Sequence, residues 1–458
     1  MTALPLTATD IRDCLEGVIP AVMATCAADG TPNVAYLSHV QFVDPEHVAL
    51  SFQFFNKTRE NVLANPVGTV LMIHPDTAAM FRLTVHYLRT ETSGPLFEHM
   101  KARLAGIASH SGMENVFRLQ GADVYRVSAI EAVPGGGRLP APSDQPRRQL
   151  LGALRCVSER LAACTETDQL FDVTMASLAA GFGIDHAMLL MHDASAGRLY
   201  TVASHGYAES GVGSEIALGE GVIGVAARER TPIRIMHMTS DRSYSRAMRD
   251  SVIDTGLSAR LDTEIPLPGL PAPGSQLAVP VCVGNALLGV LFVESERELR
   301  FTYEDEDALV VLAAQLGQAM RGLQASADAA ADESAGAEAS GDAPPPAPQP
   351  VLVRYFEADG SVFLDDDYLI KGVAGAIFRR LVCDYLHAGR EAFTNRELRL
   401  DPALGLPDIS DNLEARLVLL ARRLVERNAS VRIERTGRGR FALRVARPLR
   451  IEHVERGG

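Results

Sequence analysis

The stretch FFNKTRENVLANP, Phe54 to Pro66, places a polar, basic turn directly after an apolar run, HVALSFQFF (His47–Phe55). The run is apolar and aromatic enough to form a strand. Beyond it, Asn56 or Thr58 is placed to N-cap a short helix, and Asn65-Pro66 supplies a stop. Charge is the odd feature. Lys57 and Arg59 stand at a helix start, where the macrodipole disfavours cations. An anion resting on the free N–H groups of the first turn reverses that penalty, and phosphate is the usual such anion. A capped surface helix with two solvated basic side chains accounts for the same residues, so the local reading leaves both open.

Around this stretch the chain alternates short apolar segments with turns. IPAVMATCAADGTPNVAYLSHVQFVDPEHVAL holds a hairpin at Asp29-Gly30 and a second turn at Asp44-Pro45. GTVLMIHP, RLTVHYLRTE and ADVYRVSAIEAV add strands, and GPLFEHMKARLAGIAS reads as an intervening helix. Many short antiparallel strands with few helices predict a small barrel.

The order strand, A-x-x-G-x-P, strand, strand, N-K-T-R-x-N-V-L-x-N-P resembles the pyridoxamine-phosphate-oxidase-like FMN-binding split barrels over about residues 10–130. The resemblance implies that Asn56, Lys57 and Thr58 grip a flavin phosphate, with Arg59 and Asn61 close by. It also implies a flavin-facing Ser51 and further phosphate or ring contacts from His39 and Arg82. The basic pair usual on the family's early strand is reduced here to His39, Leu83 replaces a glutamine, and the oxidase's substrate-gripping C-terminal segment is missing. FMN is therefore the implied cofactor, without vitamin turnover. Haem, a deazaflavin or no cofactor are the alternatives within this fold.

At 458 residues the chain has room for about three domains. ASADAAADESAGAEASGDAPPPAPQP (325–350) lacks apolar periodicity and reads as a disordered linker. A weaker seam, VPGGGRLPAPSDQPRRQ, lies at 133–149. The expected units are 1–133, 148–324 and 351–452, giving a multidomain fold of β split barrel, α/β domain and α+β domain.

The middle unit opens with amphipathic helices RRQLLGALRCVSERLAAC and QLFDVTMASLAAGF, followed by strands AMLLMHD and RLYTVASHG. Gly219, Gly221 and Gly224 form a G-x-G-x-x-G at a helix start, but the surrounding order is not a strand–helix–strand nucleotide-binding unit. GEGVIG…RTPIRI and PVCVGNALLGVLFV followed by FTYED resemble a GAF domain. The resemblance implies a sensory pocket for an unknown small ligand, closed by GYAESGVGSEI and HMTSDRSYSRAMRDSV, and a tendency to dimerise. His186, His192, His205 and His237 are candidate haem ligands, although packed or surface histidines are commoner.

The last unit reads as strands at VLVRYFE and SVFLDDDYLI, helix GAIFRRLVCDYLHAG, and a short helix with a Thr394-x-x-Glu397 capping box. A longer helix, DISDNLEARLVLLARRLVERN, precedes the hairpin SVRIERTGRGRFALRV. This succession resembles the winged helix-turn-helix of response-regulator-type transcription factors. The resemblance implies a recognition helix presenting Asn412, Arg416, Arg422 and Arg423 to DNA, with Arg435, Arg438 and Arg440 on the wing. The same helix also fits packing of its leucine face on a core, and a protein-docking role stays open.

Charge agrees with a polyanion partner at that end alone. The whole chain carries −13, yet residues from Arg416 onward hold 12 basic against 4 acidic side chains. Six scattered cysteines with no C-x-x-C point to a reducing compartment and exclude a closed zinc site. No run approaches a membrane span and the first residues lack signal-peptide order, so a cytoplasmic protein is expected. The expectation is a signal-responsive transcriptional regulator, a homodimer, sensing through barrel and GAF domain. The alternative is an FMN-dependent oxidoreductase with His39, His86 and Arg89 near the flavin and docking domains attached.

Overall fold

A computed structural model describes residues 6–454 apart from 17–18, 38, 53–56, 75–76, 95, 102–103, 105–118, 136–149, 236–264, 299, 333–349, 405, 407–412 and 428. In the first unit, β1 (Ala21–Cys26), β2 (Pro32–Leu37), β3 (Val40–Asp44), β4 (His47–Phe52), β5 (Val67–Ile73), β6 (Met80–Glu91) and β7 (Gly121–Ala132) form one antiparallel sheet. Its order is β2-β1-β5-β6-β7-β4-β3, the split-barrel-like arrangement that the alternating strands predict. Inward side chains such as Met23, Leu50, Val70, Leu83 and Val85 fill the interior. Gly30 takes the left-handed conformation at the Asp29-Gly30 turn (φ +87°), and Asp29 accepts the Thr31 N–H. Helix α1 (Lys57–Ala64) follows β4 and stops before Asn65-Pro66, as its sequence requires. Residues 96–101 are helical, and the end of GPLFEHMKARLAGIAS lies outside the described residues.

The middle unit is a six-stranded antiparallel sheet in the order β10-β9-β8-β13-β12-β11. Its strands are β8 (His186–Asp193), β9 (Arg198–His205), β10 (Glu215–Ala217), β11 (Ile233–Ile235), β12 (Ser275–Val283) and β13 (Ala286–Ser295). Helices α2 (Leu150–Ala162), α3 (Thr167–Phe182) and α5 (Tyr303–Asp332) cover one face, and α4 (Gly221–Glu229) the other. Strand β8 serves both: Ala187, Leu189 and Met191 face the three helices, while Met188 and Leu190 face α4. The glycine triplet is explained by packing. Gly219 has φ +90°, and a Cβ at Gly224 would stand 2.3 Å from the Ala217 carbonyl oxygen. The segment HMTSDRSYSRAMRDSV lies outside the described residues.

Helix α5 differs from expectation. It continues to Asp332, into the stretch read as linker, because ASADAAAD is polar yet alanine-rich and alanine is the strongest helix former.

In the last unit, β14 (Val351–Phe356), β15 (Ser361–Leu364), β16 (Asp367–Ile370) and β20 (Leu449–Val454) form a sheet in the order β16-β15-β14-β20, with β14 and β20 parallel. Helices α6 (Gly372–Ala388), α7 (Asn395–Leu400) and α8 (Leu413–Glu426) follow. A second sheet, β17-β19-β18, joins β17 (Ala392–Thr394) to the hairpin β18 (Val431–Gly437) and β19 (Arg440–Val445). Half of the expected capping box forms: Thr394 accepts the Glu397 N–H at 3.3 Å, while the Glu397 carboxylate turns to Arg390.

Buried apolar residues run without a break from the middle unit into the last, from Leu189 and Val202 to Leu420 and Phe441. The barrel has its own core and touches the middle unit through Arg12, whose guanidinium lies 3.6 Å from the ring centre of Tyr303 at the start of α5. Among the described residues no helix is long and apolar enough to cross a membrane.

Candidate functional site

The start of α1 lies across one end of the barrel. Thr58 accepts a hydrogen bond from the Asn33 side chain on β2 (2.8 Å), and the Asn61 amide donates to Thr25 on β1 (3.2 Å). Arg59 donates to both carboxylate oxygens of Asp123 on β7 and to Thr90 on β6 (2.9 Å), and it lies 4.1 Å from the ring centre of Phe52. Thr90 in turn donates to Asp123 (2.6 Å) and meets the Tyr87 hydroxyl (2.7 Å). The basic residue at the helix start is thus neutralised from across the sheet.

That network divides the expected phosphate grip. Lys57 is half exposed, with only a 3.7 Å ion pair to Glu60. Among the described residues the buried Ser51 hydroxyl has no hydrogen-bond partner, and its backbone N–H donates to the His39 carbonyl (3.1 Å). His39 is buried and bonds Gln41 through Nε2 (3.0 Å). Arg82 stands apart on β6, eight residues from Thr90, half exposed and 3.8 Å from Glu131. Asn56 lies outside the described residues. Lys57 and the Thr58 hydroxyl therefore stand at the start of α1, while Ser51 lies on the other face of β4, the face of Ala49 and Ala122. Arg59 and Asn61 are held by protein partners, and Arg82 is remote. Of the candidate catalytic groups, His39 is buried and Arg89 pairs with Glu91 (2.7 Å).

Asp123 was missed by sequence reading, although a trace exists. Asp123 sits in the apolar run GADVY, and an acid within such a run demands a cation.

The residues expected to meet DNA are gathered on α8 and its hairpin, but most are already engaged. Arg416, 3% exposed at its side chain, pairs with Asp193 at the end of β8 (3.1 Å). Arg422 reaches Asp172 on α3 (2.5 Å) and the Val202 carbonyl on β9 (3.0 Å). Arg423 is buried against its own unit, donating to the Leu369 carbonyl (3.0 Å) and Glu426 (3.0 Å). Arg435 pairs with Glu414, which also accepts from Asn395. Arg438 is exposed at the hairpin tip and Arg440 half-buried; Asn412 lies outside the described residues. Burial alone would raise the Asp193 carboxyl, but Arg416 and hydrogen bonds from Ser195 and the Ala196 N–H outweigh it and hold its pKa at about 2. The arginines expected to be solvated are consumed because α8 is packed on both sides. Among the described residues no group of three His, Cys, Asp or Glu could hold a metal ion.

The pyridoxamine 5'-phosphate oxidase family matches residues 8–128, and the GAF domain family matches residues 166–320. No curated protein sequence matches the chain. Among solved structures, the GAF domain of an Acinetobacter phosphoenolpyruvate-protein phosphotransferase is similar at 24% identity, over 39% of this chain and 94% of that one, with a TM-score of 0.30. An FMN-binding protein from Syntrophomonas wolfei is similar at 18% identity over 27% of this chain and 90% of that one, with a TM-score of 0.23. The free methionine-R-sulfoxide reductase of Neisseria meningitidis is similar at 19% identity over 39% and 91%, with a TM-score of 0.30. Two of the three folded units thus have recognised kin: the chain carries a pyridoxamine 5'-phosphate oxidase-like domain followed by a GAF domain.

Proposed function

We propose that the protein is a cytoplasmic, signal-responsive regulator in which the barrel holds FMN, the GAF domain receives a second small ligand, and the C-terminal unit is a winged helix that binds DNA. The observation that carries the cofactor reading is the Ser51 hydroxyl, buried and without a hydrogen-bond partner among the described residues, on the strand that leads into Lys57 and Thr58. A buried polar atom without a partner calls for one. In this reading Lys57 offsets the flavin phosphate's charge, Thr58 hydrogen-bonds to it, Ser51 faces the flavin, and the Arg59–Asp123 pair fixes α1 in place without touching the phosphate. Bound flavin supplies a centre with two redox states. His39, already engaged with Gln41, takes no phosphate role. Val34 and Tyr36, exposed on the edge strand β2, support self-association through the barrel.

The DNA reading rests on the helix–helix–helix–hairpin order and on the basic C-terminal end. The visible spectrum of the purified protein, with released cofactor identified by mass, tests the first part. We expect a flavin spectrum in wild type and its loss on gel filtration of Lys57→Ala and Ser51→Ala, whose affinity falls about tenfold or more for one lost charge-assisted contact. A colourless wild type that stays colourless with added FMN would end the flavin reading.

A further inference from the structure

The face of the C-terminal unit that carries its arginines is turned inward. Arg416 meets Asp193, Arg422 meets Asp172, and the Ser210 hydroxyl donates to Glu426 at the far end of α8 (2.5 Å). The hairpin follows the helix: Gly437, Arg438 and Gly439 line a crevice with Thr165 and Glu166 between α2 and α3. Glu166 and Asp168 both act electrostatically on Arg435. Four GAF carboxylates thus oppose three arginines of the helix and hairpin, in the manner of a nucleic-acid backbone.

The contact is apolar at its base and polar at its edge. A cleft of about 510 Å³ remains between the two units, with Asp172, Ser204 and Val212 on one side and Val418, Ala421 and Val425 on the other. The cleft is open to solvent, so this part of the seam stays wetted. Polar latches and this open groove mark the seam along which the C-terminal unit would have to leave.

We infer that the GAF domain masks the output unit in cis: its carboxylates stand where DNA phosphates would, and DNA binding requires α8 and the hairpin to leave it. The inference rests on the DNA-binding reading above. Apparent affinity for DNA is then the intrinsic affinity scaled by the fraction of open molecules.

The test uses the full chain and a random-sequence duplex at low salt. Wild type is compared with Asp172→Ala/Asp193→Asn, and with Ser210→Cys/Glu426→Cys, in which a reversible disulfide closes the latch. We expect the acid-removing variant to bind about tenfold or more tightly than wild type, in proportion to the open fraction. The oxidised disulfide form should not bind, and reduction should restore the wild-type level. Hydrogen exchange of α8 reports release independently of DNA. Equal binding by all forms would overturn the masking while leaving the DNA reading intact. An α8 that stays protected in the acid-removing variant would show that these carboxylates are not the latch. A released α8 with no duplex binding would end the DNA reading, and the masking with it. If the acid-removing variant does not fold, the disulfide pair alone decides: identical binding in oxidised and reduced forms sinks the inference.

Discussion

The Arg59–Asp123 pair shows how much one side chain decides at the start of α1. Asp123 is 7% exposed, and both its carboxylate oxygens accept from Arg59. Asp123→Asn leaves a guanidinium at the barrel end without its counter-charge, and we expect about 3 kcal/mol of destabilisation in urea unfolding of the barrel. The same residue explains why Lys57 and Arg59 were indistinguishable in sequence: neighbours in a basic turn, they differ only in a partner sixty-four positions away. Asp193 gives the pH counterpart. Its folded pKa of about 2 lies below the ~3.9 of an unfolded aspartate, so it adds stability above about pH 4 that is lost as pH falls through about 2. The contribution is about 3 kcal/mol. Subtracting the urea midpoints of Asp193→Asn from those of wild type at each pH should isolate a decline confined to that window.

At the scale of elements, strands and helices were legible wherever a period could be counted. The alternation in GTVLMIHP gave β5, the apolar content of ADVYRVSAIEAV gave β7, and the Asp29-Gly30 turn gave its hairpin. Strand β20 was passed over, because LRIEHV looks like a charged tail until β14 is beside it. Helix α8 was read as one-faced. Its leucines do fill the core of its own unit, but Leu417 and Val418 are buried as well, which a helix with a solvated side would not require. The glycine triplet before α4 yields the sharpest prediction at this scale. Gly224→Ala would drive a Cβ against two backbone atoms, the Ala217 oxygen at 2.3 Å and the Gly219 nitrogen at 2.9 Å. Neither can swing away, so we expect about 3 kcal/mol of lost stability and a lower melting temperature for the GAF domain, with the barrel's own transition unchanged.

For the molecule as a whole, composition marked the three units, but how they contact one another was not legible. Ion pairs such as Arg416–Asp193 join residues 223 positions apart, and nothing local in either segment announces the other. Continuity of the buried apolar residues makes the GAF domain and the C-terminal unit one cooperative body, whereas the barrel keeps a separate core. Calorimetry should therefore show two transitions, one for the barrel and one shared; Asp172→Ala/Asp193→Asn should split the shared one into two. The parallel pairing of β14 with β20 has a further consequence, in the order of synthesis. Strand β14 leaves the ribosome early but has no neighbour on that side until β20 follows, after every helix of its unit has emerged. Domains fold in the order they are made. The GAF domain is complete by then, so Asp172 and Asp193 are already in place as α8 takes shape, and the last unit folds against a finished neighbour.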